Sequence, residues 1–179
     1  MSADYPEKLH PYIDEFFAIL DSKYRILTWN SLAIIANLAT VDSENKLDMH
    51  LEKIFRFMNN EYMVTVANLI DSLGKIAKAK PYLIPKITTE LLRVESLKTT
   101  PHLTEECKLV LAERALETFD KLLSKMSPED KSKVLSFAKR CEHSKRTSLK
   151  IKAALLLKSG VTHSEIQTIR IHNPKLPRN

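Results

Sequence analysis

The chain has 179 residues, 44% of them hydrophobic, so it is long enough to bury a sizeable core and too apolar to be a disordered chain. It contains two glycines, Gly74 and Gly160, where average usage of about 7% would place roughly a dozen; that shortage argues against tight β-hairpins and phosphate-cradling loops and for helices joined by short polar turns. The net charge of +6 is uneven: residues 1–95 hold 11 Lys/Arg against 13 Asp/Glu, whereas residues 131–179 hold 12 against 2, so an electrostatic function is expected at the C-terminal end.

The opening MSADYPEKLHPYIDEF has acidic residues where a signal peptide needs a basic start, and no run approaches eighteen apolar residues; a soluble, cytoplasmic protein without a membrane segment is expected. In LHPYIDEFFAIL, Leu9, Ile13, Phe16, Phe17 and Leu20 fall within a stripe of about 100° at helical spacing. Asp21 and Ser22 interrupt it, and a second helix from Tyr24 to Ala39 buries Leu32, Ile35, Leu38 and Ala39, making an antiparallel hairpin. The whole pattern then recurs. Adding thirty-eight to each first-helix position gives Leu47, Leu51, Ile54, Phe55 and Met58, and Asn30, Leu32, Ile35, Ala36, Leu38 and Ala39 map to Asn68, Ile70, Leu73, Gly74, Ile76 and Ala77. Small residues at 36/74 and 39/77 would let neighbouring helices approach closely.

A third unit, altered, has KPYLIPKITTELLRVE as its first helix, LKTTPHL as a longer connection and a second helix from Thr104 to Ser124 carrying Cys107, Leu111, Ala115, Leu116, Phe119 and Leu122. A fourth begins at Ser127, a good N-cap followed by Pro128, with Val134, Phe137, Ala138 and Cys141 facing inward. EHSK turns the chain into a last helix expected to end at a cap near Ser159 and Gly160. The units are thus about 8–39, 46–78, 81–124 and 127–159, with a basic tail over 161–179.

Carried by the paired helices 9–20 with 24–39 and 47–58 with 62–77, including the endings IIANLA and SLGKIA, the chain resembles HEAT-like helical repeats. The resemblance covers about residues 8–159, closely in the first two units and loosely in the last two; the period is a little short, and Asp21 and Arg25 are the only hint of the family's Asp/Arg ladder. It implies an all-α, right-handed α-α superhelix, a HEAT-like or armadillo-type solenoid of about four antiparallel helix pairs, against the plainer alternative of a four-hairpin bundle.

In such an array the second helices line the concave surface, which binds extended partners. The positions opposite the core are Asn30, Ala33 and Asn37, then Asn68, Asp71 and Lys75, then Arg114, Glu117 and Lys121: a polar row of mixed sign, read either as a recognition surface for a protein or peptide or as an ordinary solvated face. The last helix carries Lys145, Arg146, Lys150 and Lys152 in the same arc as Leu149, Ala153 and Leu156, with Lys139 and Arg140 just upstream. This basic patch points to an acidic partner, nucleic acid or protein, or to a solvated cap that aids solubility. Its last turn is apolar nearly all round, so a cover is expected, from Ile166, Ile169 and Ile171 of the tail or from a second chain; a monomer is favoured.

Catalytic readings have little to stand on. The six histidines form no HxH or HxxxH pair, no CxxC occurs, and there is no Gly-rich fingerprint, so neither metal nor cofactor is expected. Cys141 with His143 as a nucleophilic pair, and Trp29 with Asp71 as the aromatic and carboxylate pair of a HEAT-like DNA glycosylase, are weaker readings than core packing for Cys141 and Trp29. The expectation is a non-catalytic binding module or adaptor acting on a protein through its concave surface, the alternative a nucleic-acid-binding protein using the C-terminal basic unit.

Overall fold

Two helix starts are fixed by side chains that bind free amides. Thr104 accepts from the Cys107 amide at 3.3 Å, and Ser127 accepts from the Asp130 amide at 3.1 Å with Pro128 in the first helical turn. The computed structural model describes the backbone of residues 2–172 and the side chains of residues 2–160. It is all-helical: α1 (Pro6–Leu9), α2 (Ile13–Ile19), α3 (Arg25–Leu38), α4 (Lys46–Met49), α5 (Leu51–Phe55), α6 (Met63–Ala79), α7 (Ile84–Leu92), α8 (Glu105–Leu122), α9 (Pro128–Cys141) and α10 (Thr147–His172). Short 3-10 turns extend or join several of these, and the connection before α8 holds an isolated bridge between Thr100 and Leu103. That connection is pinned to the start of α6: the Met63 amide donates to the His102 carbonyl at 3.3 Å, and the Tyr62 ring stacks on His102.

α3, α6, α8 and α10 pack side by side in chain order, with α2 against α3, α7 against α6 and α8, and α9 against α7, α8 and α10. One apolar core runs through them from Ile13 to Leu156. The thirty-eight-residue relation holds at the level of conformation. α3 and α6 start at Arg25 and Met63 after Tyr24 and Tyr62, both extended, and the first helices of the two units break at Tyr12 and His50 with nearly the same backbone angles. These breaks depart from the unbroken first helices expected over 9–20 and 47–58. Pro11, which lacks an amide hydrogen, sits at the first of them, within the 3-10 turn His10–Tyr12.

Gly160 also departs from expectation. No glycine among the described residues has positive φ, and α10 continues through Gly160 to His172 instead of ending there. A Cβ at Gly160 would lie 2.5 Å from Leu135 Cδ2 and one at Gly74 2.9 Å from Thr118 Cγ2, so both glycines serve close helix approach, α10 on α9 and α6 on α8. The expected cover by Ile166, Ile169 and Ile171 and the tail over 161–179 lie outside the described side chains. On α10, Leu149, Ala153 and Leu156 are core, while Ile151 and Leu155 are exposed.

Between the first two units lies a buried charge cluster. Asp42, in the connection after α3, and Lys80, thirty-eight residues later in the connection after α6, face each other at 3.0 Å with side chains 0% and 6% exposed. Asp42 also accepts from the Lys46 and Leu47 amides at the start of α4, each at 3.0 Å, and His10 Nε2 lies 3.2 Å from its Oδ1. Lys80 donates to Asp48 at 3.0 Å and to Asn45, the one described non-glycine residue with positive φ, at 2.8 Å. Burial alone would raise the Asp42 carboxyl and lower the Lys80 ammonium, but hydrogen bonds from Lys80, Leu47 and His10 hold the carboxyl below its usual range, and those to Asp48, Asp42 and Tyr82 hold the ammonium above its own. Removing one member of such a pair leaves the other charge buried. Lys80→Met is therefore expected to lower stability by about 3–5 kcal/mol in urea denaturation, and Asp42→Asn in the same chain to recover part of that loss, because an amide needs no counter-charge.

Candidate functional site

The row expected to face a partner lies along α3, α6 and α8, and each of its members is at least partly exposed. On α6, Asp71, Lys75 and Lys78 follow one another at helical spacings of four and three, so they share a face; on α8, Thr118, Lys121 and Leu122 oppose them. Together with Ala33 of α3, Asn68, Ser72 and Gly74 they line a groove of about 480 Å³. Within it Gly74 lets the backbone of α6 come close to Thr118.

The row is partly occupied with itself. Asp71 accepts from Arg114 at 2.7 Å, Asn37 Oδ1 accepts from Lys75 at 3.1 Å, and Glu117 is bonded to Lys152 of α10. Asn68 donates its amide to the Val64 carbonyl at 2.8 Å. The structure thus gathers Asn68, Asp71, Lys75 and Lys121 at one groove, leaves Asn30 exposed on α3 outside its lining, and turns Glu117 toward α10. Lys78 belongs to the groove but not to the row expected from sequence, although its position one turn beyond Lys75 is the signal that finds it. Trp29 and Asp71 form no pair: the indole donates to Thr65 Oγ1 at 3.0 Å and the carboxylate is held by Arg114.

Half of the basic patch is neutralised across the seams between units. Arg140 makes two hydrogen bonds to Glu95, at 2.7 and 2.6 Å; Arg146 reaches Glu113 at 2.8 Å and Glu106 at 2.6 Å; Lys152 reaches Glu113 at 2.7 Å as well as Glu117. This explains why Arg146 and Lys152 share an arc with the buried Leu149 and Leu156: that arc faces Glu106 and Glu113 of α8. Lys139, Lys145 and Lys150 are exposed and have no carboxylate partner among the described residues. A cleft of about 580 Å³ beside them is of mixed sign, lined by Glu95, Glu105, Glu106, Arg140 and Lys145 around an apolar floor. Cys141 and His143 also line it, but burial, and then Glu95, push the Cys141 thiol up to about 11, so it is protonated at neutral pH and a poor nucleophile.

Asp21 and Arg25 do not form the ladder rung hinted at in the sequence. Asp21 binds Lys53 at 2.6 Å and Arg56, both of the next unit, and Arg25 lies over the Tyr62 ring. Asn59, thirty-eight residues after Asp21, accepts from Arg93 of the third unit at 2.6 Å, so the cross-unit relation is itself repeated.

Among the described residues no helix is long and apolar enough to cross a membrane, and no group of three or more His, Cys, Asp or Glu is placed to hold a metal ion. Comparison with protein-family models, with curated proteins and with solved structures finds no match to this chain.

Glu113 gives the seam between α8 and α10 a pH dependence. Burial raises its carboxyl, but hydrogen bonds from Arg146, Lys152 and Ser148 outweigh this and hold it at about 2 against an ordinary 4.5. The folded state therefore stays ionised where the unfolded chain takes up a proton. The stabilisation is complete above about 4.5 and is lost as the pH falls toward 2. Glu113→Gln is expected to cost about 1–2 kcal/mol at neutral pH and to flatten the fall in urea midpoint across that window; an unchanged pH profile would contradict the assignment.

Proposed function

We propose that the chain is a non-catalytic HEAT-like repeat binding module or adaptor that holds a protein or peptide partner on the face formed by α3, α6 and α8. The observation that carries the reading is the groove between α6 and α8, built by two consecutive units. The packing of α3, α6, α8 and α10 in chain order favours a stacked array over a closed bundle, because each second helix meets chiefly its neighbours. In such an array the face is continuous across units, and an extended segment lying along it meets equivalent positions of each. Asn68 keeps its carbonyl oxygen for a partner's backbone amide, since only its NH₂ group is engaged internally.

Nucleic-acid binding by the C-terminal unit is the weaker reading. A phosphate backbone is held by several unpaired cations together, whereas Arg140, Arg146 and Lys152 already bind carboxylates.

The experiment is affinity capture from nuclease-treated lysate of the source cells with three forms of the chain: unaltered, Ala33→Arg with Asn68→Arg, and Lys145→Glu with Lys150→Glu. Each form is first checked for an unchanged helical spectrum and melting temperature. A protein captured by the first and third forms and reduced at least tenfold with the second is the expected result. Capture that survives the Ala33 and Asn68 changes but not the Lys145 and Lys150 changes would overturn the reading.

A further inference from the structure

We infer that the segment held in the groove between α6 and α8 is acidic, its carboxylates seated among Lys75, Lys78 and Lys121; the inference rests on the reading of this face as a protein-binding surface. Charge complementarity carries it. Asp71 is the one carboxylate among the residues lining the groove, and Arg114 neutralises it at 2.7 Å. Three ammonium groups remain. Lys75 donates to the neutral Asn37 amide, and Lys78 and Lys121 have no carboxylate partner among the described residues.

The rest of the seams make this unusual. Where cations bridge units elsewhere, each has a carboxylate: Arg56 on Asp21, Lys80 on Asp42, Arg114 on Asp71, Arg140 on Glu95, Arg146 and Lys152 on Glu113, and Arg93, which reaches the Asn59 amide, also binds Glu90 at 2.6 Å. The bridge from Lys75 ends on an amide, so its charge is left uncompensated beside two further exposed lysines. Three like charges around one concavity repel one another and concentrate anions, and a bound anionic segment relieves that repulsion.

The groove's shape selects a peptide over a nucleic acid. Its positive lining is short, ended on one side by the Asp71 and Arg114 pair, whereas a phosphate backbone repeats its charge and needs a longer basic track. No aromatic residue lines it to stack a base. Its lining also includes Ala33, Asn68, Ser72 and Thr118, small and polar groups suited to a peptide backbone.

The test uses the full chain and a fluorescent octaglutamate peptide, with octaglutamine and an eight-nucleotide single strand as comparisons, followed by fluorescence polarisation at low and high salt. Octaglutamate is expected to bind, octaglutamine not to bind, and the bound fraction to fall sharply as salt rises. Lys78→Glu with Lys121→Glu should weaken octaglutamate at least tenfold, Lys78→Gln with Lys121→Gln should weaken it less, and Lys145→Glu with Lys150→Glu should leave it within about twofold, since neither of those lysines lines the groove. The inference is overturned if octaglutamate does not bind, if its binding depends on Lys145 and Lys150 instead, or if the single strand binds more tightly with the same dependence on Lys78 and Lys121. Failure of octaglutamate while capture of the natural partner still depends on Ala33 and Asn68 would sink the acidic segment alone. Loss of that dependence too would sink the protein-binding face with it.

Discussion

Asp42 and Lys80 occupy equivalent places in successive connections, and their contact ties the start of the second unit to the end of its second helix. A carboxylate and an ammonium removed from water are tolerated only when every remaining hydrogen-bonding position is filled. Here the Lys46 and Leu47 amides, Asn45, Asp48 and Tyr82 fill them, and each of these partners belongs to an element that must sit in one place for the bond to form. The cluster thereby sets how α4 meets the connection after α6. The apolar core beneath it supplies most of the stabilisation but is less particular about register.

The same device recurs, weaker and more exposed, elsewhere at this seam and at each later one. Asp21 with Arg56, Asn59 with Arg93, Glu95 with Arg140, and Glu113 with Arg146 and Lys152 all join residues of neighbouring units. Exposed pairs of this kind contribute little stability singly. They orient one helix pair on the next and use up charge that would otherwise face solvent. The lysines around Gly74 escape this pairing, which is why the face they line is the proposed binding surface and the more basic C-terminal unit is not.

Much of the fold is legible in the sequence, because the core positions of the first two units agree residue by residue and apolar burial is what sets helix faces. The starts of α3 and α6 follow from the paired Tyr24 and Tyr62, and the caps at Thr104 and Ser127 can be read from single residues. What is not legible has a common physical cause: it depends on neighbours distant in the chain. Asp42 and Lys80 are equivalent but opposite in charge, so a search for likeness passes over them. Gly160 reads as a helix end in sequence because glycine serves both left-handed turns and close packing, and only the nearness of Leu135 decides between them. The charge of the basic patch along the chain differs from its effective charge, which depends on Glu95, Glu106 and Glu113, 33 to 45 residues away. Of the groove's lining, Ala33, Asn68, Asp71, Lys75 and Lys121 belong to the row read from helix spacing, and Lys78 does not.

Lysine-directed cross-linking of the chain to its captured protein partner, read by mass spectrometry, tests the central claim most directly, because unpaired lysines mark both candidate surfaces. Cross-links from Lys75, Lys78 and Lys121 to a segment of the partner flanked by acidic residues are the expected result. Cross-links confined to Lys139, Lys145 and Lys150 would contradict the assignment of the binding face.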